Sequence, residues 1–424
     1  MLLKSGNSKM IVGYDLGRTW SQISYYSADT SKVETAPSVA GTQIYQIPTA
    51  LCKRYGTNQW LFGREAVKAA EADEGILVDN LLELAVDGEP VQIDGETYEP
   101  VTLLTLFIKK SLSLLAAIGS VDRIGAFLIT CEAMDAGLIG VLENALAGVS
   151  LKARYICFQS YEESFYQYML HQNAELMRFQ TLMLQYDAGK ILLYRLHCNE
   201  RTNPKAAFVE REEYPFARID ASASRQEKEQ MDTDFTKLAA GICGEERISS
   251  IYLIGDAFNQ DWMKKSLRFL CQGRRVFLGS NLFSQGACLG MMERIRPSET
   301  AAKYAFLGTG KLKANVGMKA LRNGMESYCA LLNAGVNWYE AVGECEFYLQ
   351  EEKAFELVIQ PLNDAKGKIA QMFLDGMPEG MCRVYLKVEM VGEDVLAITA
   401  KDLGFGEFRP ATQRTWREEI NLYQ

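Results

Sequence analysis

The fold of this chain is constrained most by a sequence pattern that occurs twice. The pattern consists of an apolar strand, a turn of the form Asp-x-Gly, and a second apolar strand. In the first copy, MIVGYDL reaches Asp15 and Gly17, and SQISYYS follows. In the second copy, TLMLQY reaches Asp187 and Gly189, and ILLYRL follows. Apolar runs on either side of a short glycine-containing turn predict a β-hairpin. Each hairpin leads into alternating helix and strand patterns, which predicts a duplicated α/β body of two lobes.

The pattern changes beyond Ser298, where helical periodicity fades and alternation of apolar and polar residues takes over. The segment RVYLKVEM, residues 383–390, places its apolar residues on one face, which is typical of a half-buried antiparallel strand. The domains predicted are an α/β body over residues 1–297, with lobe I at about 1–175 and lobe II at about 176–297, a linker over 298–312, and an all-β sandwich over 313–424.

Composition narrows the classes of function. A formal net charge of −9 and a pI near 5.2 argue against nucleic-acid and anionic-membrane binding. The chain has 2 histidines, and none of its 10 cysteines stands in a CxxC motif, which argues against a zinc site and a disulfide framework. Its most apolar windows are shorter than the roughly 20 residues that span a bilayer. We therefore expect a soluble, cytoplasmic protein.

The motifs of the α/β body resemble, in order, those of the heat-shock-70 chaperones of the actin, sugar kinase and heat-shock-70 superfamily. IVGYDLGRTWS resembles the first phosphate loop, MLQYDAGK stands at the second, and IYLIGDAFNQDWMKKSL resembles the adenosine loop and its helix. SNLFSQGACLG, with Gly286 and Ala287, resembles the helix that closes the ATPase domain. The resemblance implies an actin-like ATPase fold built from two ribonuclease-H-like lobes.

The resemblance continues into the C-terminal part, where LLNAGVNWYEA, CEFYL and ELVIQPLND follow the strand order of the family's peptide-binding β-sandwich. Sugar kinases and actins have no such domain. The resemblance implies an extended peptide or a partner protein bound through main-chain pairing at an exposed edge, and no helical lid is expected. The candidate peptide contacts are Val336, Trp338, Tyr339 and Phe347, although Trp338 and Tyr339 are equally explained as sandwich core.

The resemblance also implies ATP or ADP with Mg²⁺ between the two hairpins. Asp15 and Asp187 are the candidate metal ligands and the candidate remnants of a catalytic site, since Mg²⁺ binds through one or two carboxylates and waters. Both are also explained as ordinary turn residues. The candidate nucleotide contacts are Asp15, Gly17, Arg18, Thr19, Asp187, Gly189, Lys190, Gly255 and Asp256.

Several positions depart from the family pattern. The second loop should read D-x-G-G-G-T, but Lys190 and Ile191 replace glycine in it, and Arg18 stands where a threonine is usual in the first. The segment aligned with the catalytic lysine, residues 80–83, contains no lysine, and Asp256 replaces a glycine of the adenosine loop. The chain between the second phosphate loop and the adenosine loop is also too short for the family's full adenine-side subdomain.

These departures favour a lidless pseudo-ATPase of the heat-shock-70 type, with weak or absent hydrolysis, no assigned cofactor and a sandwich that binds a peptide or partner. Two alternatives stay open. One is an active ATP-binding chaperone, ATPase or kinase of the same superfamily, or a divergent site for another ligand anchored by Asp15, Arg18 and Lys190. The other is an actin-like protein that assembles through its α/β body. The oligomeric state is not predicted.

Overall fold

A computed structural model of the protein describes residues 9–187, 189–202, 204–218, 223–322, 324–350, 353–362 and 366–423. The chain divides into two compact units. The first contains residues 1–198 and 209–302, and the second contains residues 199–208 and 303–424. The short internal segment Asn199–Phe208 therefore belongs with the C-terminal unit, which the sequence did not predict.

The first unit mixes helices and strands throughout. Its strands are β1 (Met10–Leu16), β2 (Trp20–Ser27), β3 (Lys32–Thr35), β4 (Ile47–Pro48), β5 (Leu51–Arg54), β6 (Trp60–Phe62), β7 (Gly75–Val78), β8 (Val91–Ile93), β9 (Glu96–Tyr98), β10 (Ile124–Cys131), β11 (Tyr155–Ser160), β12 (Gln180–Asp187), β13 (Lys190–Asn199), β14 (Lys205–Pro215), β15 (Ile248–Ile254) and β16 (Arg275–Gly279). The last residue of β13 and residues 205–208 of β14 fall in the segment that belongs with the second unit. Its helices are α1 (Gly63–Glu71), α2 (Leu81–Asp87), α3 (Pro100–Leu112), α4 (Ala136–Val149), α5 (Tyr161–Leu170), α6 (Arg225–Cys243), α7 (Lys265–Leu270) and α8 (Leu282–Ile295).

Two sheets of this unit share one strand order. The first runs β11-β10-β1-β2-β3, and the second contains the run β16-β15-β12-β13-β14. In each, the opening hairpin is antiparallel and its first strand also pairs in parallel with the strand that follows later in the chain. Both predicted hairpins are therefore confirmed, and each Asp-x-Gly turn follows the carboxyl end of a central strand.

Helix α8 packs unusually close to α5 and β1. A Cβ added at Gly286 of α8 would lie 2.0 Å from the carbonyl oxygen of Ser164 in α5. A Cβ added at Gly13 of β1 would lie 2.2 Å from the backbone nitrogen of Cys288 in α8. Because both of these neighbouring atoms belong to the backbone, a change of side-chain rotamer could not relieve either overlap. These glycines allow α8 to cross directly over the first sheet.

We expect Gly286→Ala to destabilise the first unit by about 1–3 kcal/mol, the usual cost of overpacking. Gly140→Ala in α4 is the matched control, because nothing lies within 4 Å of an added Cβ there and alanine is the better helix former. It should leave the unit as stable or stabilise it by up to about 1 kcal/mol. The free energy of unfolding in urea measures both, and equal effects of the two variants would contradict the close crossing.

Two details of lobe II differ from the sequence prediction. The polar composition and two prolines of the stretch from 199 to about 232 predict a loop, but this stretch contains β14 and the first half of α6, which begins with a capping box between Ser224 and Glu227. The sequence also predicts a helix over 261–270 with Asp261 as its N-cap, but α7 starts only at Lys265. Its first N–H groups are bound by the buried Asp232 carboxylate, at 2.6 Å from Lys265 N and 2.9 Å from Ser266 N.

The second unit is built from strands in two antiparallel sheets that share one core. Its strands are β17 (Tyr304–Phe306), β18 (Ala314–Arg322), β19 (Met325–Leu332), β20 (Val342–Leu349), β21 (Ala354–Pro361), β22 (Lys368–Phe373), β23 (Cys382–Met390), β24 (Val395–Asp402) and β25 (Thr415–Asn421). The two sheets run β19-β18-β21-β22 and β20-β23-β24-β25. Their inner faces form one hydrophobic cluster that includes Val316, Leu357, Leu386 and Ile398. Strand β17, inside the predicted linker, pairs in parallel with residues 205–207.

One helical stretch among the described residues, Pro100–Ala117, has the length and hydropathy of a membrane span. The sequence windows had suggested only shorter apolar runs, since α3 continues into a 3₁₀ turn over Ser113–Ala117. Leu104, Phe107 and Leu112 of this stretch are fully buried within the first unit. With 44% of the stretch buried, this single helix is weak evidence for a membrane span and is compatible with a soluble chain.

Candidate functional site

The first Asp-x-Gly turn begins at a buried carboxyl group. Asp15, near the end of β1, pairs across the sheet with Gln22 of β2 and Thr130 of β10, and only 7% of it is exposed. Tyr161, the first residue of α5, donates a hydrogen bond from its hydroxyl to Asp15 Oδ1 at 2.6 Å. Its ring stacks on Phe283 of α8, with the centroids 3.8 Å apart. The phenol is therefore fixed against Asp15 by a helix start and an aromatic stack.

The turn itself is closely packed. Gly17 donates its backbone N–H to the Trp20 carbonyl at 3.1 Å. A Cβ added at Gly17 would lie 2.3 Å from that oxygen and 3.1 Å from the Tyr161 hydroxyl. The carbonyl of Thr19 accepts a hydrogen bond from Thr49 N at 2.9 Å. Any side chain at position 17 would therefore overlap the Trp20 carbonyl and crowd the Tyr161 hydroxyl. This packing explains the glycine without a bound ligand.

Burial dominates the electrostatics at Asp15. It raises the pKa of Asp15 from 3.8 to about 7, although the hydrogen bond from Tyr161 acts in the opposite direction. Burial also raises the pKa of Tyr161, and the nearby Asp15 charge adds to that rise. The carboxyl group therefore holds its proton up to near-neutral pH and has one oxygen occupied by the phenol. Among the described residues, no group of three or more His, Cys, Asp and Glu is arranged to hold a metal ion.

Arg18, the candidate anion contact of the first loop, is bound by carboxylates. Its Nε lies 3.2 Å from Glu83 Oε1 and 3.7 Å from Glu132 Oε2. Glu83 of α2 lies in the segment that the resemblance aligns with the family's catalytic lysine. The Arg18 side chain is 64% exposed, so the pairs add little stability. They do engage the Arg18 guanidinium with two carboxylates, which leaves it less available for a phosphate.

A second arginine, from lobe II, also pairs with one of the carboxylates that lie beside Arg18. Arg211 of β14 forms a salt bridge with Glu132, and its guanidinium lies over the ring of the buried Tyr194, 5.9 Å from the centroid. Glu162, next to Tyr161, is 6% exposed, and its Oε2 has no hydrogen-bond partner. Burial raises the pKa of Glu162, whereas Arg211 acts to lower it. Carboxyl groups of lobe I and arginines from both lobes therefore largely neutralise one another.

The second loop is described only in part, because the side chain of Asp187 and the whole of residue 188 lie outside the described residues. Gly189 has φ of +106°, and its carbonyl accepts a hydrogen bond from Phe216 N at 2.9 Å. Lys190 Nζ lies 3.1 Å from Glu213 Oε2. The cation proposed as an anion anchor is therefore paired with a carboxylate of its own lobe.

Gly255, at the predicted adenosine loop, is explained by packing. Its φ is +114°, and an added Cβ would lie 2.7 Å from the carbonyl oxygen of Tyr186 in β12. Asp256 begins a 3₁₀ turn over Asp256–Asn259, and its side chain lies outside the described residues. The glycine therefore lets the end of β15 approach β12 closely.

The four candidate peptide contacts occupy different environments in the second unit. Trp338 and Phe347 pack against the sandwich core, and the Phe347 ring meets the buried Phe355 ring edge to face at 5.3 Å. Tyr339 meets Trp338 edge to face at 5.8 Å. Val336 is 39% exposed. Trp338 and Phe347 thus contribute to the core, and Val336 belongs to the surface.

A broader apolar surface, which the sequence did not indicate, lies on the outer face of β19-β18-β21-β22. Gly317, Val358 and Ile369 pair in register across β18, β21 and β22, so they point to one face. A Cβ added at Gly317 would lie 2.4 Å from a ring carbon of Tyr328, so this ring lies over the glycine. Ile369 and Phe373 are each 62% exposed. We call Tyr328, Val358, Ile369 and Phe373 the apolar row.

Family models match most of the chain. One, described as a family of unknown function (DUF5716) C-terminal, matches residues 32–309, which is more than half of the chain. The chain belongs to the DUF5716 family. Of the site residues, Glu83, Tyr161 and Arg211 lie within the DUF5716 match, whereas Asp15 and Arg18 precede it. A domain of unknown function (DUF8552) matches residues 311–422, where the apolar row lies. No curated protein matches the chain.

Proposed function

We propose that the chain is a heat-shock-70-like cytoplasmic protein whose α/β unit is a pseudo-ATPase and whose β-sandwich binds an extended peptide or a segment of a partner protein. The duplicated strand order supports an actin-like body, because a hairpin-led sheet with two parallel strands beside its first strand is the ribonuclease-H-like plan. The same order occurs around Asp15 and around the second hairpin. The sandwich that follows favours a chaperone-like protein over a kinase or an actin.

The observation that carries the pseudo-ATPase proposal is the Tyr161–Asp15 hydrogen bond. The residues present do not fit a hydrated Mg²⁺ at Asp15, since this ion keeps several waters and needs an accessible, ionised carboxylate. Arg18 is paired with Glu83 and lies near Glu132, and Lys190 is paired with Glu213. The groups that would hold phosphate and metal in an active relative are thus satisfied by the chain itself.

Calorimetry and thermal unfolding with ATP·Mg²⁺ and ADP·Mg²⁺ test this proposal. We expect no measurable stabilisation by either nucleotide, whereas a ligand at 100 times its Kd would stabilise the protein by about 2.7 kcal/mol. A stabilisation of that size that Asp187→Ala abolishes would show a working nucleotide site and favour the active ATPase. The exposed Asp29→Ala is the matched control, since it should leave any nucleotide effect unchanged.

The apolar row supports the peptide-binding part of the proposal. Extended peptides are recognised by main-chain pairing and by pockets for alternate side chains, and Ile369 and Phe373 present two such apolar positions on one strand. Fluorescence anisotropy with a labelled, Leu- and Val-rich heptapeptide should show saturable binding that Ile369→Asp weakens at least tenfold. Val342→Asp, at a 51% exposed position on the other sheet, is the control. Absence of binding, or equal loss in both variants, would argue against this surface.

A further inference from the structure

A cavity of about 490 Å³ lies at the edge of the second sheet opposite the Asp187 turn. Its lining residues fall within 175–179, 246–249 and 273–275, the segments that lead into β12, β15 and β16. These three strands are parallel neighbours, so their amino ends meet at one edge of the sheet. The volume lies in the range of small-molecule sites, which is roughly 300–1,000 Å³.

The cavity is positively charged although the chain as a whole is acidic. Its lining contains four arginines and two glutamates, in a chain with a net charge of −9. Arg275 pairs with Glu175 at 3.2 Å, and Arg274 donates to Cys243 Sγ at 2.9 Å. The second glutamate, Glu246, accepts a hydrogen bond from Gln180 at 3.3 Å.

The other two arginines converge on a single aromatic ring. The guanidinium carbons of Arg178 and Arg247 each lie 5.5 Å from the centroid of Phe179, which is 41% exposed. Neither guanidinium has a carboxylate partner within the described part of the chain. Two like charges beside one ring repel each other. A guanidinium that lies over a ring also keeps its N–H groups available for an oxyanion.

We propose that this cavity binds a small phosphorylated ligand, with its phosphate oxygens held by Arg178 and Arg247 above Phe179. A phosphate group accepts bidentate hydrogen bonds from the planar guanidinium fork and relieves the repulsion between the two arginines. At neutral pH it carries about −1.5 to −2 charges, more than a single carboxylate. The site is separate from the Asp15 turn, so this proposal does not depend on the proposed chaperone-like function.

Isothermal titration of the full chain with inorganic pyrophosphate, at low salt, tests the proposal. We expect saturable binding that weakens as salt is added and that falls at least tenfold in the double variant Arg178→Ala, Arg247→Ala. The double variant Arg154→Ala, Arg225→Ala is the matched control. It removes the same charge, including an arginine that lies over another exposed aromatic ring, Tyr155, but outside the cavity. It should bind pyrophosphate within threefold of the wild type.

Two further ligands separate the sources of the oxyanion. Citrate should bind more weakly than pyrophosphate, and a Glu-rich peptide should bind no more tightly than citrate. The proposal is overturned if pyrophosphate does not saturate the protein, if both double variants lose affinity equally, or if citrate binds more tightly. It is also overturned if only the Glu-rich peptide binds through these arginines, because the cavity would then be a docking site for an acidic protein. Phe179→Leu should weaken pyrophosphate binding by a smaller factor than the arginine variant.

Discussion

Asp15→Asn should stabilise the first unit at pH 8 by up to about 4 kcal/mol. The folded carboxyl group has a pKa of about 7 because it is buried, whereas an aspartate in an unfolded chain has a pKa of roughly 3.9. The folded state therefore binds a proton that the unfolded state has released. In wild type, stability should fall as pH rises from about 4 to about 7 and stay low above that. Asparagine keeps an oxygen that accepts the Tyr161 hydroxyl and removes the cost of ionisation.

Urea unfolding between pH 5 and pH 8, followed by hydrogen exchange in peptides from β1 and β10, measures this effect in the first unit alone. The two proteins should converge towards pH 5 and separate as pH rises. Asp29→Asn, an exposed aspartate on the loop after β2, is the matched control and should retain the wild-type slope. A wild-type stability that is level from pH 5 to pH 8, or a loss of stability in Asp15→Asn at pH 8, would contradict a buried, proton-holding Asp15.

The two hairpins of this protein could be predicted from the sequence because they depend on local signals. Each hairpin combines an apolar alternation with a glycine turn, and those patterns survive wherever one face of a strand is buried. The same argument failed for β14, whose sequence KAAFVEREEYP has an apolar run followed by a charged run rather than an alternation of the two. It failed also for the first half of α6, whose sequence RQEKEQ has no apolar face. There the capping box of Ser224 and Glu227 was the usable signal.

The side-chain contacts that define the candidate site could not be predicted from local signals. Tyr161 and Asp15 are separated by 146 positions in the chain, and nothing in the residues around Tyr161 shows that its hydroxyl reaches a carboxyl group. The start of α7 illustrates the same limit. A local aspartate, Asp261, looked like its cap, yet Asp232 supplies the carboxylate from the preceding helix. The order of the motifs indicates which residues to examine, but only the tertiary structure shows which partners those residues have.

Asp402→Ala should destabilise the second unit by about 3–5 kcal/mol, the typical effect of breaking a buried ionic network. Asp402 ends β24 and is fully buried. Its Oδ1 accepts from Arg409 at 2.6 Å and Gly404 N at 2.8 Å, and its Oδ2 accepts from Thr412 N at 2.9 Å and Thr412 Oγ1 at 2.6 Å. Removal of the carboxylate would leave the Arg409 charge without its partner and release the loop between β24 and β25.

The same residue should give the second unit a pH response of opposite sign to that of the first. Burial alone would raise the pKa of Asp402, but hydrogen bonds from Thr412, Cys382 and Gly404 outweigh it and hold the pKa well below its ordinary range. Its stabilisation is therefore complete above about pH 4 and is lost as pH falls below that.

Hydrogen exchange in β23 and β24 should show acid destabilisation in wild type and little further change in Asp402→Ala. The exposed Asp394→Ala should behave as wild type within about 0.5 kcal/mol. If instead the Asp402 variant is as stable as wild type at pH 7, this carboxylate does not hold the loop, and the rigidity of that end of the sandwich must come from the strands alone.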